Sequence, residues 1–203
     1  MNNRIAVFAS GGGTNFQALI DEINRGNLNA VITGLISNRN DAGAISRARK
    51  YRIPVNIVKR ADYTSDDAFG EELNQILQEW DPAIIVLAGY MQKIPANVID
   101  AFPGRIINIH PALLPKFGGK GLYGIRVHQA VLDAGEKISG CSVHIVTNEY
   151  DEGPVIGQIS VPVNTGDTPE VLAARILAEE HKLLPVVTGT LLEKQNRHEH
   201  KST

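Results

Sequence analysis

The stretch that most constrains the fold is AIIVLAGY, residues 83–90. It is eight residues long, carries no charge, and does not alternate between apolar and polar. A half-exposed strand alternates, so a continuous run of this length belongs to a strand covered on both faces. It is too short to span a membrane. Two earlier runs have the same character, RIAVFAS (4–10) and VITGLISN (31–38), and VNIVK (55–59) is a shorter third strand. Helical segments over about 14–25, 41–51 and 65–80 separate them; in the last, Phe69, Leu73, Ile76, Leu77 and Trp80 fall on one face. Strands alternating with helices in this way predict an α/β, Rossmann-like fold: a mostly parallel twisted sheet flanked by helices.

After residue 100 the rhythm changes. RIINIH (105–110) reads as a fifth strand, PKFGGKGLYG (115–124) as a glycine-rich connection, and about 125–134 as a helix. GCSVHIVT (140–147) and VIGQISVPV (155–163) flank the acidic loop NEYDEGP, which predicts an antiparallel extension of the sheet. Thr168 and Pro169 are the N-cap and first residue of a long last helix, expected to bend or break at Pro185. The tail from Gln195 is polar and expected to fray. With 203 residues and no flexible linker, the chain reads as one domain, 1–203, with a change of lobe near 100 and a polar tail over 196–203.

Composition narrows the function. A net charge of −2 and an ordinary 43% hydrophobic content offer no surface for a nucleic acid, and no run reaches membrane length. The N-terminus enters a strand directly, without the pattern of a signal peptide, and Cys141 is the single cysteine. The expectation is a cytoplasmic protein without disulfides. No metal is expected: His110, His128 and His144 lack ligand spacing, and His198 and His200 lie in the tail. A serine nucleophile is disfavoured, because Ser10 lacks the elbow motif. Cys141 reads as core.

Three motifs carry chemistry. SGGGTN (10–15) joins the first strand to a helix, where glycines and free N–H groups suit an anion. A dinucleotide is disfavoured: Phe16 replaces the third glycine, and Ser37 and Asn38 stand where a ribose-binding acid would be. A phosphate monoester fits better, with an unliganded tight turn as the alternative. Asn108 and His110 lie two apart on a strand, so both point to one face at the sheet edge where α/β crevices form. There a histidine can exchange protons and an amide can stabilise an oxyanion. The acid that would complete the set is Glu149, Asp151 or Glu152, among which spacing does not choose. Met91, Gln92, Lys93 and Ile94 follow the fourth strand and could line a pocket for a flat ligand. The 115–124 connection is either a lid or a surface loop.

These pieces together resemble the phosphoribosylglycinamide formyltransferases, a branch of the folate-dependent formyltransferases of purine synthesis. SGGGTNFQALI, VLAGYM, NIHPALLP, SVHIV, DEGPVIGQ and AEEH carry the resemblance, which covers nearly the whole chain. It implies a phosphoribosyl-binding lobe over 1–100 and a catalytic and folate lobe over 101–195. It implies that Asn108, His110 and Asp151 are catalytic. Gly12, Gly13, Thr14, Asn15 and Glu180 would hold glycinamide ribonucleotide, and Met91, Gln92, Lys93, Ile94, Thr147, Asn148 and Tyr150 the folate. The co-substrate would be 10-formyltetrahydrofolate, with no tightly bound cofactor, in a monomer or homodimer that binds neither nucleic acid nor membrane. Asp151 would pair with His110, raising its pKa and fixing its orientation, and protonated His110 with the Asn108 amide would stabilise the oxyanion. The chain departs from the pattern at Gln92, where some members have arginine, at Gly12, often asparagine, and across KFGGKGLYGIRVH. Formyltetrahydrofolate hydrolysis, formylation of charged tRNA and a non-catalytic nucleotide-binding module are the competing functions.

Overall fold

The computed structural model describes residues 2–199. In chain order the elements are β1 (Arg4–Phe8), α1 (Thr14–Asn24), β2 (Val31–Ser37), α2 (Gly43–Lys50), β3 (Val55–Ile57), α3 (Asp66–Trp80), β4 (Ile84–Leu87), α4 (Ala96–Ala101), β5 (Ile106–His110), α5 (Ile125–Asp133), β6 (Ile138–Ile145), β7 (Val155–Pro162) and α6 (Pro169–Glu199). One seven-stranded sheet runs in the order β3-β2-β1-β4-β5-β6-β7. The first five strands are parallel, and β6 and β7 join antiparallel. This is the expected fold class.

Strand parity divides the core into two layers. Ile5, Val7 and Ala9 face α1, α2, α5 and α6 across one side of the sheet. Ala6 and Phe8 face α3 and α4 on the other. Both sides of β1 and β4 are therefore fully covered, which is why these strands read as unbroken apolar runs. Close packing sets some residue choices: a Cβ on Gly34 would lie 2.2 Å from the Trp80 ring.

The last helix settles one of the two outcomes expected at Pro185, since it does not break there. It starts as expected, with Thr168 Oγ1 accepting from the Val171 N–H, but it runs without a break through Pro185 to Glu199. Leu183, Leu184, Val187 and Leu192 bury around the proline, and the helix packs on α1, α5, β6 and β7. That burial outweighs the missing hydrogen bond. Of the expected frayed tail, 196–199 is helical, with Asn196 holding Asn2 and Asn3; the remainder lies outside the described residues. No helix among the described residues is long and apolar enough to cross a membrane.

Candidate active site

A cleft of about 630 Å³ opens at the C-terminal edge of β1, β4 and β5, the edge at which open α/β sheets bind ligands. Four segments frame it: the turn after β1, the loop after β4, the connection after β5 and the β6–β7 loop. A hydrogen bond from the Met91 N–H to Ser10 Oγ (2.8 Å) ties the first two together.

Strand pairing assembles the centre. Asn108 and His110 sit on the last turn of pleat of β5, and antiparallel β6 sets His144 opposite Asn108 and Ser142 opposite His110. The Asn108 amide lies 3.1 Å from His144 Nε2. The third partner comes from the β6–β7 loop, which doubles back so tightly that a Cβ on Gly153 would lie 1.7 Å from the Ile145 carbonyl oxygen. Asp151 takes a left-handed conformation there, φ 57°, and turns its carboxylate between two histidines. Its Oδ2 lies 3.6 Å from His110 Nδ1, and its Oδ1 3.4 Å from His144 Nε2. The Gly119 N–H donates to Oδ2 at 2.9 Å. His110 Nε2 meets the Phe117 carbonyl at 2.8 Å. The glycine-rich connection thus holds two members of the centre and also lines the cleft through Gly119, Gly121 and Gly124.

Asp151 pulls the His110 pKa upward as expected, but burial reverses the net shift. His110 is only 4% exposed, and that burial pulls its pKa below the ordinary imidazole value despite the opposing pull of Asp151 and the Phe117 carbonyl. Desolvation wins, which favours the neutral ring. Burial also opposes ionisation of Asp151, but there the His144 hydrogen bond, the nearby His110 ring and the Gly119 N–H prevail and hold the carboxyl below its usual range. Burial pushes Glu180 up, against a 2.6 Å hydrogen bond from Asn15 Nδ2. Burial likewise pushes the Cys141 thiol up to about 12, which fits a core residue and not a nucleophile.

The other expected residues divide. Asn15, Met91, Gln92, Lys93, Ile94, Thr147, Tyr150 and Glu180 line the cleft with the central set. Lys93 Nζ stands over the Tyr150 ring, 5.4 Å from its centroid. Gly12, Gly13 and Thr14 do not line it; they form the turn that delivers Asn15, with Gly13 left-handed at φ 71° and no side chain capping α1. Asn148 lines a smaller neighbouring hollow with Arg60, Gln92 and Lys93. His144 and His128, weighed in the sequence only as metal ligands and set aside, are also buried and line the cleft. Each lies in an apolar stretch and looks like core; His144 is recognisable only once β6 is paired with β5. Among the described residues no cluster of histidine, cysteine and acidic side chains could hold a metal ion.

Residues 3–188 match the family model described as formyl transferase. The chain is 45% identical over 193 residues to a chloroplastic phosphoribosylglycinamide formyltransferase of Arabidopsis thaliana, covering 95% of this chain. It spans only 66% of that relative's length, and 62% of the corresponding protein of Vigna unguiculata. It is 36% identical to the phosphoribosylglycinamide formyltransferase of Bacillus subtilis, covering 97% of this chain and 98% of that one. Its fold overlays the crystal structure of glycinamide ribonucleotide transformylase 1 from Symbiobacterium toebii with a TM-score of 0.89, at 41% identity and with 95% and 89% of the two chains covered. A match across nearly the whole chain, by sequence and by fold, makes this protein a member of the formyl transferase family, on the branch that carries the name phosphoribosylglycinamide formyltransferase.

Proposed function

We propose that this protein transfers the formyl group of 10-formyltetrahydrofolate to the amine of glycinamide ribonucleotide. The observation that carries the reading is the convergence of Asn108, His110 and Asp151 in one cleft that also holds Asn15 and Glu180 at the phosphate-loop side and Met91 to Ile94 with Tyr150 at its mouth. The formyl transferase family match and the names of the relatives support it.

The amine nitrogen attacks the formyl carbon, a C–N bond forms, and the carbonyl electrons move onto oxygen. The second N–H of the Asn108 amide, not used on His144, donates to that oxyanion. The Nε2–H of His110 leaves the Phe117 carbonyl for the same oxygen. Both ring nitrogens of His110 face oxygen acceptors in the empty cleft, so the geometry is already that of an imidazolium. Desolvation, with a smaller push from the neighbouring His144, favours the neutral ring, and the oxyanion supplies the missing negative charge. The proton released by the attacking nitrogen passes through Asp151 to the ring nitrogen that its Oδ2 faces, Asp151 stabilises the resulting imidazolium, and the proton returns by the same route to the folate nitrogen as its C–N bond breaks and the C=O bond re-forms. Asn15 and Glu180 hold the ribonucleotide, and Met91 to Ile94 with Thr147 and Tyr150 hold the folate. Holding both reactants in one cleft contributes on the order of 7–11 kcal/mol.

The test is deformylation of the folate, followed by absorbance at neutral pH, with and without glycinamide ribonucleotide. Turnover that requires the amine is expected. Equal turnover without it would make water the acceptor, and no turnover in either case would leave a binding module or a tRNA acceptor.

A further inference from the structure

We infer that Arg47, on α2 and outside the cleft, is the positioning residue that fits the turn after β1 to a phosphate; the inference rests on the ribonucleotide reading given above. The cleft itself lacks the charge for the task. Among its described lining residues the sole lysine or arginine is Lys93, which is stacked over Tyr150 at the mouth. At the other end Asn15 is bonded to a carboxyl group, Glu180. A phosphate dianion there depends on the N–H groups that open α1. Those of Thr14, Asn15 and Phe16 precede the first intrahelical bond, and no side chain caps them.

Arg47 acts on these donors from behind. Its Nε donates to the Gly12 carbonyl at 2.8 Å, and its Nη1 donates to Gln17 Oε1 at 3.1 Å. The Gly12 carbonyl and the Gly13 N–H belong to one peptide unit. A cationic donor on the oxygen polarises that unit and makes the N–H a stronger donor toward an anion. The second arm reaches the first turn of α1, and Gln17 is itself fixed by Asp21 at 2.8 Å and Tyr51 at 3.1 Å. The fork therefore locks the turn to α1. Nη2 has no acceptor among the described residues, so the guanidinium charge is not cancelled by an acid there.

Two further observations fit a turn held in a preset shape. The N-terminus of α2 is pressed against it: the Ala44 N–H donates to the Gly11 carbonyl at 3.1 Å, and a Cβ on Gly13 would stand 2.7 Å from that of Ala44. In addition, Asn15 is 8% exposed, lines the cleft, and has a buried Oδ1 without a partner. A buried acceptor at the end of the turn suits a hydroxyl or amine donor of the ribonucleotide, next to the N–H groups that suit its phosphate. Arg47 itself does not line the cleft, so it works through the backbone it holds.

The experiment compares glycinamide ribonucleotide with the corresponding riboside, which lacks the phosphate, as acceptors for the wild type, Arg47→Met and Arg47→Lys. The wild type should prefer the ribonucleotide in kcat/KM. In Arg47→Met that preference should fall by about tenfold or more, mainly through KM, as for loss of a charge-assisted hydrogen bond. Arg47→Lys keeps the charge but loses the fork, and should recover part of the preference. An unchanged preference in Arg47→Met, with both acceptors slowed equally, would make the residue merely structural and overturn the inference. Should Arg47→Met fail to fold, Arg47→Lys decides alone, because an unaltered preference in it removes the role of the fork. A wild type that does not distinguish the two acceptors would instead overturn the phosphate reading of the turn.

Discussion

Asp151 serves two histidines with one carboxylate, and this fixes what its replacement should do. Asp151→Asn keeps the size and the hydrogen bond from Gly119 but removes the charge that an imidazolium at His110 needs. Turnover should fall by more than about 100-fold while both substrates still bind, as measured by steady-state kinetics and by calorimetric titration. Near-normal turnover would remove Asp151 from the proton path. Asn108 and His110 were readable because strand parity alone sends both to one face at a known edge. Asp151 could not be chosen over Glu149 and Glu152 by spacing, because the choice depends on a left-handed backbone and on the close return of Gly153 to Ile145. The net downward shift of His110 was not legible for a related reason. A sequence reveals the charged neighbour, but the depth of burial that outweighs it is a property of the packed structure.

At the scale of elements, the site depends on how the chain leaves β5. Ser142 on β6 donates to the Ala112 carbonyl at 2.6 Å, accepts from the Leu114 N–H at 3.0 Å and accepts from Gln158 Nε2 at 2.9 Å. Gln158 on β7 also donates to the Leu114 carbonyl. This buried clamp starts the connection that carries Phe117 and Gly119 to His110 and Asp151. Ser142→Ala should cost about 2–4 kcal/mol, from two backbone groups left unsatisfied, and should lower turnover with it. Urea denaturation and kinetics on the same preparation would check this; a stable variant with full activity would show that the connection holds itself. The sheet was readable from its unbroken apolar strands. Helix α4 was not, because six residues are too few to display a period. The continuity of α6 through Pro185 was not legible because the rule for proline is local, whereas the helix is held by side chains distant in sequence.

For the whole molecule, buried titratable groups set the response to acid. Burial holds His110, His128 and His181 below their ordinary value of 6.5. The unfolded chain therefore takes up protons first as pH falls. Their contribution to stability is complete above 6.5 and is lost as pH drops through their folded values. Asp151 and Asp167, held low, act in the same direction at lower pH. Glu180, raised by burial, acts oppositely: its contribution is present in acid and lost as pH rises through its folded value. Three histidines against one carboxyl predict a Tm that climbs between about pH 5 and 7, measurable by scanning calorimetry, and a flat profile would contradict the assignment. The bond from Asn15 to Glu180 also has a consequence in time, since it joins residues 165 apart. A ribosome that has added residue 162 has supplied all seven strands but neither Glu180 nor the helix that covers α1, β6 and β7. At ordinary elongation rates the next 18 residues take about 1–4 s, during which the part of the apolar side that α6 will cover, over β6 and β7, stays bare. Synthesis, more than the finished fold, is when this protein is open to self-association, and a chaperone would matter most in that interval.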